Sequence, residues 1–306
     1  MRIVSLLPSA TEIICALGLR DQLVGVSHSC DYPADVTGLP VVTETVIDDA
    51  KSQTDIDQDV RDRFGSADAL YTLDMEKLRE LKPDIIVTQA LCDVCAVSAD
   101  EVEAALCTLP GAPEVVNMEP SVLGDVLETV SLTAAAAGVE VRGTQLRQQL
   151  VERINAVRAR TQHVAQGDRP RVAFIEWLDP PFNGGHWMPE LIEIAGGIDV
   201  LGNPGKPSTT LTWQAVAESR PDLIFISCCG FPIDRTLSDL QPIMETDLWR
   251  DLTRQAARGV FLSDGNAYFA RPGPRLVESL EIMAHACHPT VHPAAPFMDG
   301  GLRKIW

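Results

Sequence analysis

One pattern of residues occurs twice in this chain of 306 residues. Residues 75–92 read MEKLRELKPDIIVTQALC, and residues 213–230 read WQAVAESRPDLIFISCCG. Each copy predicts a short amphipathic helix, a Pro-Asp turn and a buried strand rich in β-branched residues, which is typical of a parallel sheet covered on both faces. Two such units predict an α/β fold with two lobes, and folds of this kind bind ligands beyond the carboxyl ends of their strands. The alternative is chance recurrence of a common α/β pattern.

The composition is that of an ordinary globular protein, with 45% hydrophobic and 22% charged residues. The formal net charge of -18 argues against nucleic acid as a partner, because a phosphate backbone requires a basic surface. It also disfavours binding to anionic lipid. No stretch approaches the roughly 20 apolar residues that cross a bilayer, so we expect no membrane insertion and a small molecule as the partner.

The apolar stretch 3–17 is not a convincing signal peptide, because Pro8, Ser9 and Glu12 interrupt it and no small-residue cleavage site follows. Residues 9–12 instead predict a capping box that begins a helix. Eight cysteines without an evident disulfide framework fit a reducing compartment. We therefore expect a cytoplasmic protein.

The chain is expected to have four parts. These are an N-terminal α/β lobe at 1–120, a connecting backbone helix at 121–168, a C-terminal α/β lobe at 169–290 and an irregular tail at 291–306. The connecting segment lacks proline from 122 to about 165 and has apolar residues at helical spacing, which predicts one long helix or two in series. The tail is rich in proline.

If the strands are parallel, their carboxyl ends bring polar and aromatic residues to one cleft between the lobes. The candidate ligand-binding residues are Pro8, Ser9, His28, Asp31, Tyr32, Gln89, Trp177, Asp179, Phe182, His186, Trp187, Phe231, Asp264 and Asn266. The aromatic rings suit a planar or ring-rich ligand, the histidines suit axial ligation of a metal, and the Asp and Asn side chains suit amides at the rim of a ligand. The alternatives are aromatic packing, histidines bonded to backbone, and Asp264-Gly265-Asn266 as a turn.

Two cysteine pairs follow the strands of the repeat, Cys92 with Cys95 and Cys228 with Cys229. Four thiolates could approach tetrahedral geometry for zinc or an iron–sulfur cluster. Because the side chains of adjacent cysteines diverge, inert packing is the alternative.

Seven short segments share their sequences with one known family. They are 7–12 (LPSATE), 24–27 (VGVS) with 31–33 (DYP), 78–84 (LRELKPD), 179–182 (DPPF), 195–197 (AGG) and 271–275 (RPGPR). In these segments the chain resembles the cobalamin-binding proteins of ABC importers, from about residue 3 to residue 288. The resemblance implies the class III substrate-binding-protein fold, which has two Rossmann-like lobes with parallel sheets joined by a long interdomain helix.

The chain departs from those importer proteins in three respects. They are exported, whereas this sequence shows no export signal. They commonly place an aromatic residue on the corrin where this chain has Gln89. They also use a carboxylate on each lobe to dock on the transporter. Asp100 could serve on the first lobe, but the second lobe has Trp213-Gln214, so docking on an ABC importer is doubtful.

The sequence contains no Walker loop, no G-x-G-x-x-G after a strand and no G-x-S-x-G elbow. The leading hypothesis is a binding protein, not an enzyme, for cobalamin, another corrinoid or a related metal chelate in the interlobe cleft. The alternatives are a protein that binds a metal ion or cluster through the cleft cysteines, and a thiol-dependent enzyme on the same scaffold.

Overall fold

The computed structural model describes residues 1–66, 70–89, 109 and 111–306. The chain divides into two compact units. The first consists of Met1–Pro120 and Gly124–Gln149, and the second of Ser121–Leu123 and Leu150–Trp306. Each unit contains a largely parallel sheet with helices, so the fold is α/β, as the repeat predicts.

The first unit is built on short strands joined by helices. Its elements are β1 (Ile3–Ser5), α1 (Pro8–Ala16), β2 (Leu23–Gly25), β3 (Thr43–Thr45), α2 (Gln53–Ser66), β4 (Tyr71–Leu73), α3 (Met75–Leu81), β5 (Ile85–Gln89), β6 (Glu114–Met118) and α4 (Leu123–Ala136). Among the described residues, β2, β1, β5 and β6 form a parallel sheet in that order, and β3 pairs with β4 antiparallel.

The β-branched residues of the central strands form the core of this unit. Every residue of β5 is buried, as expected for a strand covered on both faces. Val4 from β1, Ile86 from β5 and Leu78 from α3 belong to one hydrophobic cluster. Burial of a side chain of this size contributes about 1.5–3 kcal/mol, so this cluster stabilises the packing of α3 on β1 and β5.

The capping box predicted at residues 9–12 is wrong. α1 begins at Pro8 with Leu7 as its N-cap residue, and no side chain caps it. Ser9 therefore lies within the first turn. Proline is favoured at this position because the first helical N–H groups have no partner inside the helix.

The connecting segment forms two helices in series. α4 ends at Ala136, the chain turns at Gly138 with a φ of 65°, and α5 (Glu140–Thr161) follows. The first ten residues of α5 belong to the first unit and the rest to the second.

The second unit has a larger sheet. Its elements are β7 (Arg171–Leu178), β8 (Pro181–Asn183), β9 (Gly185–His186), α6 (Met188–Ile194), β10 (Ile198–Asp199), β11 (Asn203–Pro204), α7 (Trp213–Glu218), β12 (Leu223–Ile226), α8 (Ile233–Met244), α9 (Asp247–Gln255), β13 (Gly259–Ser263), α10 (Leu276–Cys287) and β14 (Leu302–Lys304). The sheet order is β10-β7-β12-β13-β14, with β8 antiparallel beside β7 and β14 antiparallel beside β13.

The tail 291–306 is not irregular throughout, contrary to the prediction. Leu302–Lys304 adds β14 to the edge of the sheet, where Leu262 pairs with Arg303. The ammonium nitrogen of Lys304 lies 5.5 Å from the ring centre of Phe261. The prolines mark only the approach to this strand, and three residues are too few to show an alternating pattern.

The two copies of the repeat make the same hydrogen bonds at the start of their strands. The backbone N–H of Arg2 donates to the carboxylate of Asp84 at 2.7 Å, and that of Arg171 donates to the carboxylate of Asp222 at 2.8 Å. The residues before the two prolines, Lys82 and Arg220, have φ angles of 46° and 48°. The two copies of the repeat therefore share one local structure.

Candidate functional site

Trp177, near the carboxyl end of β7, and Phe231, in the loop after the adjacent strand β12, form a stacked pair. Their ring centres are 5.3 Å apart and their planes are inclined by 30°. The guanidinium carbon of Arg235 lies 4.7 Å from the ring centre of Phe231, and its Nε lies 2.9 Å from Asp239. Because Phe231 is buried and Trp177 is half-buried, the ring of Trp177 offers a flat apolar surface that Phe231 supports from one side.

The loops after β12 and β13 are joined by their backbones. The N–H of Gly265 donates to the carbonyl of Phe231 at 2.9 Å, and the N–H of Gly230 donates to the carbonyl of Gly265 at 3.2 Å. A Cβ at position 265 would clash with the carbonyl of Cys228. Glycine at 265 therefore permits the close approach that positions Phe231.

The acidic and amide candidates after β13 take part in a turn. One oxygen of Asp264 accepts from the backbone N–H groups of Asn266 and Ala267, at 2.9 and 3.0 Å. The side-chain oxygen of Asn266 accepts from Arg271 at 2.8 Å. Both candidates are half-buried, and contact of either with a ligand stays a prediction.

The candidates between β7 and α6 separate into exposed and packed residues. Asp179 is exposed, and Phe182 is half-buried on β8 opposite Trp177. Trp187 is buried, and its indole N–H donates to the carbonyl of Phe269 at 2.9 Å, which is a packing role. His186 has a φ of 49°, and burial lowers its pKa.

A residue that was not predicted from the sequence, Glu176, lies in the same region. It is half-buried at the carboxyl end of β7 and accepts hydrogen bonds from the side chain of Ser208 and the backbone N–H of Gly185. Burial raises the pKa of Glu176 to about 7, although these two hydrogen bonds favour the charged form. The signal in the sequence was a single charge within the otherwise apolar run VAFIEWL.

The loop that carries Ser208 is held by Asn183 and Gly185. The side-chain oxygen of Asn183 accepts from the backbone N–H of Thr209 at 2.6 Å, and its amide donates to the carbonyl of Leu201 at 2.5 Å. A Cβ on Gly185 would lie 2.8 Å from the carbonyl oxygen of Lys206. This close contact brings the hydroxyl of Ser208 within hydrogen-bond distance of the carboxyl group of Glu176.

In the first unit, His28 is the candidate with the best-defined surroundings. Its Nδ1 lies 2.8 Å from the hydroxyl of Thr43, which also accepts from the backbone N–H of His28 at 3.0 Å. The imidazole stacks on Tyr71 with ring centres 5.5 Å apart, and partial desolvation lowers the pKa of His28. Asp31 and Tyr32 are exposed.

The remaining first-unit candidates are less accessible. Ser9 and Gln89 are 2% and 5% exposed, and Pro8 is half-buried. Within the described part of the chain, the hydroxyl of Ser9 has no hydrogen-bond partner. Contact of these three with a ligand stays a prediction.

The cysteine site is described only in part. Cys228 is buried and Cys229 is exposed, so the two adjacent side chains diverge. Cys92 and Cys95 lie outside the described residues. In residues 1–66, 70–89, 109 and 111–306, no group of three or more His, Cys, Asp or Glu side chains is placed to hold a metal ion.

Comparison with known proteins agrees with this architecture. A family model described as "Periplasmic binding protein" matches residues 3–266. The chain belongs to the periplasmic binding protein family. This match confirms the resemblance to the substrate-binding proteins of ABC importers that the sequence indicated, and it confirms the class III fold. This family consists of solute-binding proteins, which are not enzymes.

Three similar proteins show the range of names within this family. An uncharacterised ABC transporter substrate-binding lipoprotein of Bacillus subtilis is 23% identical over 94% of this chain and 80% of the relative. A vitamin B12-binding protein of Vibrio cholerae is 26% identical over 74% of this chain and 70% of the relative. The periplasmic heme-binding protein RhuT of Roseiflexus sp. RS-1, in apo form, superposes with a TM-score of 0.69 at 21% identity, covering 95% of this chain and 98% of that one.

The predictions about membranes and transporters have different outcomes. Among the described residues, no helix is both long enough and apolar enough to cross a membrane. In the region suggested for transporter docking, Trp213 donates its indole N–H to the carbonyl of Leu178 at 3.2 Å, and Gln214 donates to Glu218 at 2.9 Å. Asp100 lies outside the described residues. Three expectations therefore stay predictions: that docking on an ABC importer is doubtful, that the protein is cytoplasmic, and that the ligand binds in a cleft between the lobes.

Proposed function

We propose that this chain binds a corrinoid or a closely related metal chelate at the carboxyl ends of its strands. The observation that carries the proposal is the stacked pair of Trp177, near the carboxyl end of β7, and Phe231, in the loop after β12. Ligands of open parallel sheets bind at this edge. Aromatic side chains there provide rigid apolar area for a large ring.

The polar groups near this pair suit a ring with amide substituents. Asp264 and Asn266 are half-buried in the loop that Gly265 joins to Phe231. Asp179 is exposed at the end of β7. Carboxylates accept hydrogen bonds from amide N–H groups, and the amide of asparagine both donates and accepts. The relatives named as vitamin B12-binding proteins support the same choice of ligand.

No observation favours the two alternatives. The described residues contain no cluster suited to a metal ion, and the family is one of solute-binding proteins. We keep the cytoplasmic location as a proposal based on cysteine usage alone. The words "periplasmic" and "lipoprotein" in the names of relatives point to a different compartment for those proteins.

Titration with cobalamin and with cobinamide tests the proposal. Quenching of tryptophan fluorescence should saturate with a Kd in the micromolar range or tighter, a binding free energy of about -8 kcal/mol or more favourable. Trp177→Leu should weaken binding by removing the flat surface. Trp306→Phe is the matched control, because Trp306 is 55% exposed at the end of the chain. Absence of saturable binding of any corrinoid would overturn the proposal.

A further inference from the structure

We propose that Glu176 makes the site select a macrocycle that carries amides over one that carries carboxylates. This inference rests on the proposed function and names the chemistry by which the same site chooses its ligand. Corrinoids carry amide groups around the ring, whereas heme carries carboxylates. The two classes of macrocycle therefore differ in the substituent, amide or carboxylate, that would contact Glu176.

Glu176 lies at the carboxyl end of β7, the edge of an open parallel sheet at which ligands bind. Protein atoms surround its carboxyl group, yet the residue keeps some accessible surface. It directly precedes Trp177, whose ring carries the flat surface of the proposed site. The neighbouring loop is tied to β7, because the N–H of Cys229 donates to the carbonyl of Glu176 at 3.1 Å.

The carboxyl group of Glu176 has two identified hydrogen-bond donors. Ser208 and Gly185 each donate to it, and a carboxylate has about four acceptor positions. The remaining positions are suited to a further partner. An ionised Glu176 accepts from an amide N–H, and a protonated one donates to an amide carbonyl. An amide can therefore bind both forms.

A carboxylate on the ligand can bind only the protonated form. When Glu176 is ionised, two negative charges would meet at a partly buried carboxylate, where their repulsion is stronger than in bulk solvent. Burial places the pKa of Glu176 at about 7, so both forms are present near neutral pH. The preference for the amide-bearing ring should therefore increase as the pH rises.

Other titratable groups lie on the segments around Glu176. They are Asp179, His186, Lys206, Cys228, Cys229 and Asp264. None of them is among the causes of the pKa shift of Glu176, which are burial and the two hydrogen bonds. Burial also lowers the pKa of His186.

The test measures the Kd of cobinamide and of hemin at pH values from 6 to 8.5. In the unmodified protein, the ratio of hemin Kd to cobinamide Kd should rise by about tenfold across this range. In Glu176→Gln, which keeps the shape and removes the titration, the ratio should change by less than about twofold. Glu193→Gln is the control, because this exposed residue of α6 gives the same loss of charge; its ratio should follow the unmodified protein.

A second variant tests the same idea while keeping the carboxyl group. Ser208→Ala removes a hydrogen bond that lowers the pKa of Glu176, so the midpoint of the rise in the ratio should move to higher pH. A merely structural role of Glu176 would not move this midpoint.

Three results would overturn the inference, and they are distinguishable. Cobinamide binding with a ratio that does not depend on pH removes the selective role of Glu176 alone. A pH-dependent ratio that persists unchanged in Glu176→Gln assigns the titration to another group. No saturable binding of either macrocycle to the unmodified protein removes the proposed function and this inference together.

Discussion

The two copies of the repeat are alike where their strands begin and different where the neighbouring strands end. Asp84 and Asp222 accept equivalent hydrogen bonds from the first residues of β1 and β7. The pairing of Ile3 with Ile85 and of Val172 with Leu223 then places Leu7 and Glu176 at equivalent positions. One is 4% exposed and apolar, and the other carries the carboxyl group of the candidate site. The shared residues build the scaffold, and the differing residues supply the chemistry.

The largest expected effect on stability comes from placing the residue of one unit at the equivalent position of the other, Leu7 and Glu176. Leu7→Glu should lower the free energy of unfolding by about 3 kcal/mol, because it places an ionisable group in the core without the hydrogen bonds that serve Glu176. Glu176→Leu should cost far less, since it removes a carboxyl group that is already poorly solvated. Urea unfolding measures both. Val141→Glu, at a position that is 72% exposed, is the control and should stay within about 0.5 kcal/mol; an equal cost for Leu7→Glu would show that the position tolerates a charge.

The pH dependence of stability is expected to distinguish Glu176 from ordinary carboxylates. Its pKa is raised from 4.5 to about 7 in the folded protein, so the unfolded chain loses this proton first as the pH rises. The contribution to stability is complete below pH 4.5 and is lost as the pH rises through 7. Allowing for its partial exposure, we expect a loss of about 2 kcal/mol, which Glu176→Gln should abolish. Identical unfolding profiles of the two proteins between pH 4.5 and 8 would contradict this.

A buried histidine near the C-terminal helix should respond in the opposite direction. Burial, together with Arg160 and two nearby histidines, lowers the pKa of His292 from 6.5 to about 4. Its ring nitrogen lies 3.1 Å from the hydroxyl of Thr161. Stability from this group is present above pH 6.5 and is lost as the pH falls to 4, by about 2 kcal/mol. His292→Gln should flatten the acid limb of the stability profile, and His163→Gln, at an exposed histidine, should leave it unchanged.

The loop contact beyond β12 and β13 can be broken without changing any charge. Gly265→Ala should lower the free energy of unfolding by about 2 kcal/mol and displace Phe231, because the added Cβ meets the backbone of Cys228. Gly38→Ala is the matched control, since nothing lies within 4 Å of a Cβ at position 38. Thermal unfolding measures the stability, and tryptophan fluorescence reports the surroundings of Trp177. Equal behaviour of the two variants would show that these loops separate easily.

The sequence predicts the scaffold better than the site, and particular residues show why. The apolar strands and the Pro-Asp turns are local patterns, so the two α/β units follow from them directly. The pKa of Glu176 depends in part on a hydrogen bond from Ser208. Ser208 reaches Glu176 because Asn183 and Gly185 hold its loop in place. Trp187 looks like a ligand-binding aromatic in sequence, but its N–H is used by the carbonyl of Phe269. Such contacts join residues far apart in the chain, and no local pattern contains them.

The smallest expected effect concerns the shared part of the comparison. Asp84→Ala and Asp222→Ala should each lower the free energy of unfolding by about 1 kcal/mol, because each removes one hydrogen bond to the first residue of a neighbouring strand. The two costs should agree within about 0.5 kcal/mol, since the geometry and the backbone bond returned by each Asp, at 2.8 Å, are the same. Asp179→Ala, an exposed carboxylate outside the repeat, is the control for loss of charge. If only one of the two variants is destabilised, the likeness of the two copies is confined to their geometry, and their energetic roles differ. Equal costs would mean that the same turn stabilises both sheets and that the differences between the units begin only at the opposite ends of the strands.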